Sequence, residues 1–256
     1  MLGIGEIKAE FNEVNHDSRA ELYSFMQKYE NDERNGVKKI VDNARKKLDA
    51  LEKEIKRSYD MLSFERKYYA EGCKYICGID EVGRGPLAGP VVTCAVILPQ
   101  DEQILYLNDS KQVSKKRREM LYDIIIEKAV SYGIGVVSEE RIDEINILQA
   151  TYEAMRMAIA NLKQEPDILL NDAVRIPNVN IKQVPIIKGD TLSASIAAAS
   201  IVAKVTRDRM MEEYDKIYPG YGFADNVGYG SQKHIEAIKT LGPTPIHRRT
   251  FIKNFI

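Results

Sequence analysis

Apolar positions change their period once along this chain, near residue 74, and the change divides it into two textures. From Arg34 to Lys67, Val41, Ala44, Leu48, Leu51 and Ile55 recur at three- and four-residue steps with Lys and Arg between them. That is the stripe of an amphipathic helix. Leu22, Phe25 and Met26 predict a shorter helix before it, and Asn31-Asp-Glu-Arg-Asn-Gly36 a break. Beyond Lys74, short apolar runs take over. Tyr75–Asp80 and Val91–Leu98 read as strands, joined through Gly83-Arg-Gly-Pro-Leu-Ala-Gly-Pro90. Ser114 can cap a helix running to about Val130, and Gly133–Val137 is a further strand. Ile142–Leu162 predicts one helix with Ile145, Leu148, Tyr152, Met155 and Ile159 on one face. Strands over Asp167–Asn171 and Val184–Ile187 follow, then a helix over Ala194–Tyr214. A Gly- and aromatic-rich loop over Pro219–Gly230 and a helix over Ser231–Leu241 complete the series. Two leading strands, then strands alternating with helices, predict an α/β fold: a mixed sheet covered by helices. The expected domains are a helical N-terminal extension, residues 1–72, and a second domain, 73–256, with a C-terminal helical part from about 207.

Composition narrows the function classes little. The 256 residues are 44% hydrophobic and 29% charged, with no Trp and a net charge of -1. Any nucleic-acid surface must therefore be local. Lys38, Lys39, Arg45, Lys46, Lys47, Lys53, Lys56 and Arg57 offer one such surface. Asp42, Asp49, Glu52 and Glu54 are interleaved with them, which favours an ordinary solvated helix face. Three cysteines, Cys73, Cys77 and Cys94, fit a reducing compartment, and Cys77 and Cys94 lie in apolar runs that predict core positions. Glu6, Lys8 and Glu10 occupy the place of a signal peptide's apolar stretch, and the run around Ala194–Ala203 is too short for a membrane span. A cytoplasmic monomer is expected.

The chemistry concentrates at Gly78-Ile-Asp-Glu-Val-Gly-Arg-Gly85. Asp80 and Glu81 close an apolar strand, where adjacent carboxylates are costly unless a cation neutralises them. Asp172 follows Ile-Leu-Leu-Asn and Asp190 follows Pro-Ile-Ile-Lys-Gly, repeating the pattern of charge at the end of an apolar run. Carboxylates gathered at strand ends suit hard cations, Mg²⁺ or Mn²⁺, and two such ions can promote phosphodiester hydrolysis. Gly83 and Gly85 leave the backbone bare for close approach to a ligand, and Arg84 offers a phosphate fork.

These motifs resemble bacterial ribonuclease HII. The resemblance rests on Gly78–Leu98, Asp109-Ser-Lys111, Asn146-Ile-Leu-Gln-Ala150, Lys188-Gly-Asp190 and Ala198–Asp208. Tyr221-Gly-Phe, Gly228-Tyr-Gly and His247-Arg-Arg continue it, in order, from about Lys74 to the end. It implies a ribonuclease H-like mixed sheet with flanking helices. It implies a metal-dependent endonuclease with Asp80, Glu81, Asp172 and Asp190 as catalytic ligands of two Mn²⁺ or Mg²⁺ ions. The substrates implied are RNA–DNA hybrids and duplex DNA containing ribonucleotides, nicked 5′ of the last ribonucleotide to leave a 5′-phosphate and a 3′-hydroxyl. Gly83, Arg84 and Gly85 would read the 2′-OH, the atom that tells RNA from DNA. Tyr229 would pack on the following deoxyribose. Lys111, Asn146, Lys204 and Arg207 are the remaining candidate substrate contacts.

The sequence departs from the family pattern at three places: Ala173 after the third acid where glycine is frequent, Val227 where lysine is common, and Gln112-Val113 in place of Lys-Leu. Lys204, Arg207 and Arg209 could equally pair with Asp208, Glu212 or Glu213, and His247-Arg-Arg249 could reach DNA or pack. His16 and His234 are expected at the surface with no role. The rivals are a ribonuclease HIII-like hybrid nuclease, disfavoured by Arg84, and a hybrid-binding module without catalysis, disfavoured by the four acids. Whether a replication clamp is a partner is not written in any segment of the sequence.

Overall fold

A computed structural model of the chain describes residues 2–254 and 256. They fall into two compact units, Met1–Asp60 and Met61–Ile256. The extension foreseen to residue 72 is thus divided at Asp60.

The first unit holds α1 (Ile4–Glu13), α2 (Arg19–Tyr29) and α3 (Asn35–Asp60). Both short helices pack on α3. Val41, Ala44, Leu48 and Leu51 are buried as their spacing requires, together with Ile7, Phe11, Leu22 and Phe25. The rings of Phe11 and Phe25 lie 5.1 Å apart. Helix α1 was not anticipated, although Ile4, Ile7 and Phe11 recur at helical steps. The long helix expected to reach Lys67 stops at Asp60. Met61 and Leu62, buried in the core of the second unit, separate it from α4 (Ser63–Ala70).

The second unit is built on β1 (Ile76–Val82), β2 (Val91–Ile97), β3 (Ser131–Val137), β4 (Ile168–Asp172) and β5 (Lys182–Ile186), in sheet order β3-β2-β1-β4-β5. The first three strands run antiparallel, whereas β1, β4 and β5 are parallel. Helix α5 (Lys115–Lys128) precedes β3, with α6 (Glu139–Ile145) and α7 (Ile147–Ala160) after it. The short α8 (Gly189–Leu192) leads into α9 (Ala194–Ile217). Then come α10 (Phe223–Asn226), α11 (Gln232–Leu241) and α12 (Arg249–Ile252). Ser114 and Ser231 cap α5 and α11, as serine hydroxyls at these positions predict.

Two helices grip the sheet closely. Helix α9 crosses β1 where a Cβ on Gly78 would lie 2.0 Å from the Ser195 carbonyl carbon, so its alanine- and serine-rich face is a packing surface. Helix α7 lies on β3 with carbonyls of Ala154 and Ala158 against Gly135 and Gly133. The helix expected over 142–162 is interrupted. The chain breaks at Asn146 (φ 68°), whose side chain accepts from Leu148 N–H and Gln149 N–H at 3.0 and 3.1 Å. The buried face of α7 is then Ala150, Thr151, Ala154, Met155 and Ala158, while Leu148 is exposed. Of the five apolar positions read on one face, Met155 is buried and Ile145, Tyr152 and Ile159 pack against the core, while the alanines make the closest approach to β3. Cys77 and Cys94 are buried and all three cysteines are free thiols. Among the described residues no helix is long and apolar enough to cross a membrane.

Candidate active site

The sheet itself aligns the acids. Ile79 on β1 pairs with Asn171 on the parallel β4, so Asp80 and Asp172 each lie one residue further along adjacent strands. Asp172 in turn pairs with Ile186, the last residue of β5, and Asp190 follows in α8. Carboxyl ends of parallel strands are where open α/β sheets place their ligands. Here they border a cavity of about 530 Å³ lined by Asp80, Glu81, Asp172, Asp190, Val82–Gly85, Ser110, Lys111, Ser200, Lys204 and Tyr229.

The charges in this cavity are uncomfortable. Burial pushes the Asp80 carboxyl well above the ordinary carboxylate value, and the charges of Glu81 and Asp172 add to it. Burial likewise raises Glu81, against the pull of Arg84, whose Nη1 lies 3.3 Å from Glu81 Oε1. Asp190 is raised by burial and by Asp172. Glu81 Oε2 is buried without a hydrogen-bond partner. Among the described residues no three acidic or histidine side chains close into a ligand set. Confined like charges repel, which keeps the four acids apart around one cavity. An all-oxygen donor set, an orphaned carboxylate oxygen and raised acids together fit a hard divalent cation.

Beside the acids, Gly83 adopts φ 93°, and a Cβ there would lie 2.4 Å from Arg207 Nε and 2.7 Å from Pro90 O. Only glycine tolerates that conformation and that contact. The Tyr229 ring, 43% exposed, stands over Gly85.

Arg207 and Asn146 do not reach the cavity. Arg207 is fully buried and donates to the carbonyls of Pro90, Ala88 and Val227 at 2.9, 3.0 and 2.8 Å. Asn146 is the exposed cap of α7. Lys204 does line the cavity, with Nζ 2.6 Å from Asp208 Oδ1, and Arg209 pairs instead with Glu119. Lys111 lines it too, near Asp190.

Two serines escaped the sequence reading, and of the two roles open to His247-Arg-Arg249 the structure shows packing for His247 and Arg248. Ser200 bonds the Asp80 carboxylate and, at 3.1 Å, Ser110. Both serines stand in motifs already singled out, but nothing in a serine's spacing tells a carboxylate partner from a packing site. Arg248 is fully buried and donates four hydrogen bonds to the carbonyls of Gly83, Arg84 and Gly89. Burial and the Arg207 charge push its guanidinium down to about 9, still cationic at neutral pH. His234, expected at the surface, is buried and lies Nε2 to Nε2 3.0 Å from the buried His247. His16 is half-buried, its ring 4.8 Å from Phe11.

Comparison with known proteins shows what this chain is similar to. Residues 77–254 match the family described as Ribonuclease HII, and residues 3–69 match the Ribonuclease HII N-terminal domain. The resemblance, placed from Lys74 onward, therefore extends over the N-terminal helices. Ribonuclease HII of Lachnoclostridium phytofermentans is 62% identical over 233 residues, covering 91% of each protein. The ribonuclease H2 of Pyrococcus horikoshii superposes with a TM-score of 0.60 at 28% identity, over 71% of this chain and 96% of that one. The RNase HII of Archaeoglobus fulgidus, solved as a complex with PCNA, gives 0.56 at 29% identity, over 68% and 93%. Two family models that together span most of the chain, and an identity of 62% over nine-tenths of it, leave one assignment: the chain belongs to the ribonuclease HII family and is an endonuclease of the ribonuclease H class.

Proposed function

We propose that this enzyme hydrolyses the RNA strand of RNA–DNA hybrids and nicks 5′ of the last ribonucleotide at an RNA–DNA junction, leaving a 5′-phosphate and a 3′-hydroxyl. The observation that carries the reading is the single cavity shared by Asp80, Glu81, Asp172, Asp190, the Gly83–Gly85 backbone and the Tyr229 ring.

The four carboxylates would hold two divalent ions, Mn²⁺ or Mg²⁺. When bound, such ions supply an activated water and stabilise the leaving oxygen of an in-line displacement. The protein's own groups position the substrate. The bare backbone at Gly83–Gly85 lets amides and carbonyls approach a ribose 2′-OH, which donates and accepts. Arg84, held beside Glu81, presents the rest of its fork to a phosphate, and Lys111 and Lys204 line the same cavity. The Tyr229 ring gives a flat apolar face for a deoxyribose and disfavours a hydroxyl there.

Duplex DNA holding one ribonucleotide tests this. A nick 5′ of that ribonucleotide, dependent on Mn²⁺ or Mg²⁺, is expected; no metal-dependent nick overturns the proposal. Asp172→Asn should abolish cleavage while hybrid binding survives, and parental rates in that variant would remove the carboxylate role. Tyr229→Ala should lower the ratio of junction cleavage to cleavage inside RNA runs, and an unchanged ratio would remove Tyr229 from junction selection.

A further inference from the structure

The buried histidines His234 and His247 lie behind Tyr229, outside the cavity, and their hydrogen bonds can run in only one direction. Thr244 N–H donates to His247 Nδ1 at 2.9 Å, so that nitrogen must be the acceptor. A neutral His247 then carries its proton on Nε2, which faces His234 Nε2 at 3.0 Å. His234 Nε2 must accept, and its proton sits on Nδ1, 2.8 Å from the Tyr229 carbonyl. The chain of donors is therefore Thr244 N–H to His247, His247 to His234, and His234 to Tyr229. We propose that this histidine pair is the positioning device for Tyr229, fixing the backbone from which the junction-selecting ring projects.

The surroundings keep the pair neutral. The rings of Tyr221 and Phe223 enclose it, at 5.2 Å and 5.7 Å from His247 and at 6.4 Å and 5.3 Å from His234. The Tyr221 hydroxyl is itself spent on the Gly242 carbonyl, and the charge nearest in effect is Arg249, a cation. Burial lowers the basicity of both rings. Protonating either would set two donors face to face, so the order of the chain depends on both staying neutral. The same carbonyl also accepts from Ser231 N–H at 2.8 Å, and Tyr229 N–H donates to Asn226 at 2.9 Å. The peptide on which the ring is mounted is therefore held on both sides, and His234 supplies a side-chain hydrogen bond to it.

This inference rests on Tyr229 selecting the junction, and the test separates the two. His234→Gln keeps a group at the Nε2 position but gives up the bond to Tyr229; His234→Asn keeps an N–H at the Nδ1 position and gives up His247. Each is measured on a junction substrate and on an RNA run, alone and combined with Tyr229→Ala. His234→Gln should lower the junction-to-run ratio about three- to tenfold, the worth of one buried hydrogen bond, and His234→Asn should restore most of it. On the Tyr229→Ala background neither should change the ratio further. If Tyr229→Ala lowers the ratio and His234→Gln does not, the positioning role is wrong while Tyr229 stands. If Tyr229→Ala leaves the ratio unchanged, the Tyr229 reading fails and the device with it. If both histidine variants lower cleavage of the two substrates alike, the pair is only structural. Imidazole ¹⁵N shifts give an independent reading: His234 should be the Nδ1–H tautomer and His247 the Nε2–H tautomer at neutral pH, and the reverse pair overturns the proposal.

Discussion

Replacing Arg248 with methionine removes the cationic clamp behind the Gly83–Pro90 loop while filling much of its volume. Four hydrogen bonds to three carbonyls vanish: to Gly83 at 2.5 Å, to Arg84 at 3.0 Å, and to Gly89 at 3.0 and 2.7 Å. Stranding a buried carbonyl costs about 1–3 kcal/mol, so three cost roughly 3–9 kcal/mol. Removing a guanidinium from a buried site returns several kcal/mol of desolvation. The expected net loss is about 3–5 kcal/mol, or roughly 10 °C in Tm for a protein of this size. The loss falls on the loop proposed to approach the substrate, so kcat/KM should drop more than global stability explains. Ile252→Ala is the control: Ile252, four residues on, is equally buried but donates no side-chain hydrogen bond to the loop, and its loss costs a comparable ~2–5 kcal/mol. Both variants are assayed for hybrid cleavage well below their melting temperatures. Arg248→Met should lose activity about a hundredfold, as misplacement near a reacting centre does, and Ile252→Ala should stay near the parent. Equal activity in two equally destabilised variants would refute the clamp. Arg248→Lys should recover little, because a single ammonium cannot span three carbonyls.

Ala173, at φ 53°, occupies the left-handed region that costs an alanine about 1–2 kcal/mol. Ala173→Gly should stabilise the protein by about 0.5–1 kcal/mol after the entropy of glycine is charged, read as a higher Tm; a fall would show the strain is absent. In chelator, Asp172→Asn should raise Tm by relieving repulsion with Asp80 and Glu81, since an amide oxygen can still accept from Gly189 N–H; a lower Tm would mean the acids do not repel. Burial lowers His247 to about 4, below its unfolded value near 6.5, so the unfolded state binds the extra proton between those limits. Stability is then full above about pH 6.5 and falls by about 2–3 kcal/mol on acidification to 4.5. Urea unfolding should show a shallower fall in His247→Gln, and parallel curves would count against a buried neutral His247.

Local pattern exposed much of this fold. Apolar runs located all five strands, most clearly β1, β2 and β4, which are buried along nearly their whole length. Capping serines located the starts of α5 and α11. The four acids stood out because charge at the end of an apolar run is costly wherever it occurs. The break at Asn146 escapes notice because the apolar spacing runs on across it, although an asparagine there can cap a new helix, as its side chain does for α7. What else stayed hidden depends on contacts between distant segments. Arg207 looked like a phosphate contact because an arginine on a helix beside a motif has two uses, and only tertiary structure shows that its donors face Ala88, Pro90 and Val227. His234 looked like a surface residue for the same reason.

These hidden residues share one physical task. A loop that leaves its backbone bare toward a substrate must have its carbonyls satisfied from the other side, because an unpaired buried carbonyl is costly. Glycine at 83 and 85 creates the bareness; Arg248 and Arg207 answer it from behind, reaching Gly83, Arg84, Ala88, Gly89 and Pro90. Tyr229 is treated likewise, its carbonyl held by Ser231 and His234. Three of the four acids, Asp80, Glu81 and Asp172, come from the sheet, which orders them by strand register, and Asp190 follows from α8 just beyond β5. The substrate-reading loop has no such register, and its shape is imposed by side chains from α9, α11 and the C-terminal segment. On the proposed reading, catalytic power and junction choice would therefore rest on separate supports. Variants of His234 should alter where this enzyme cuts, whereas variants of the strand-end acids should alter whether it cuts at all.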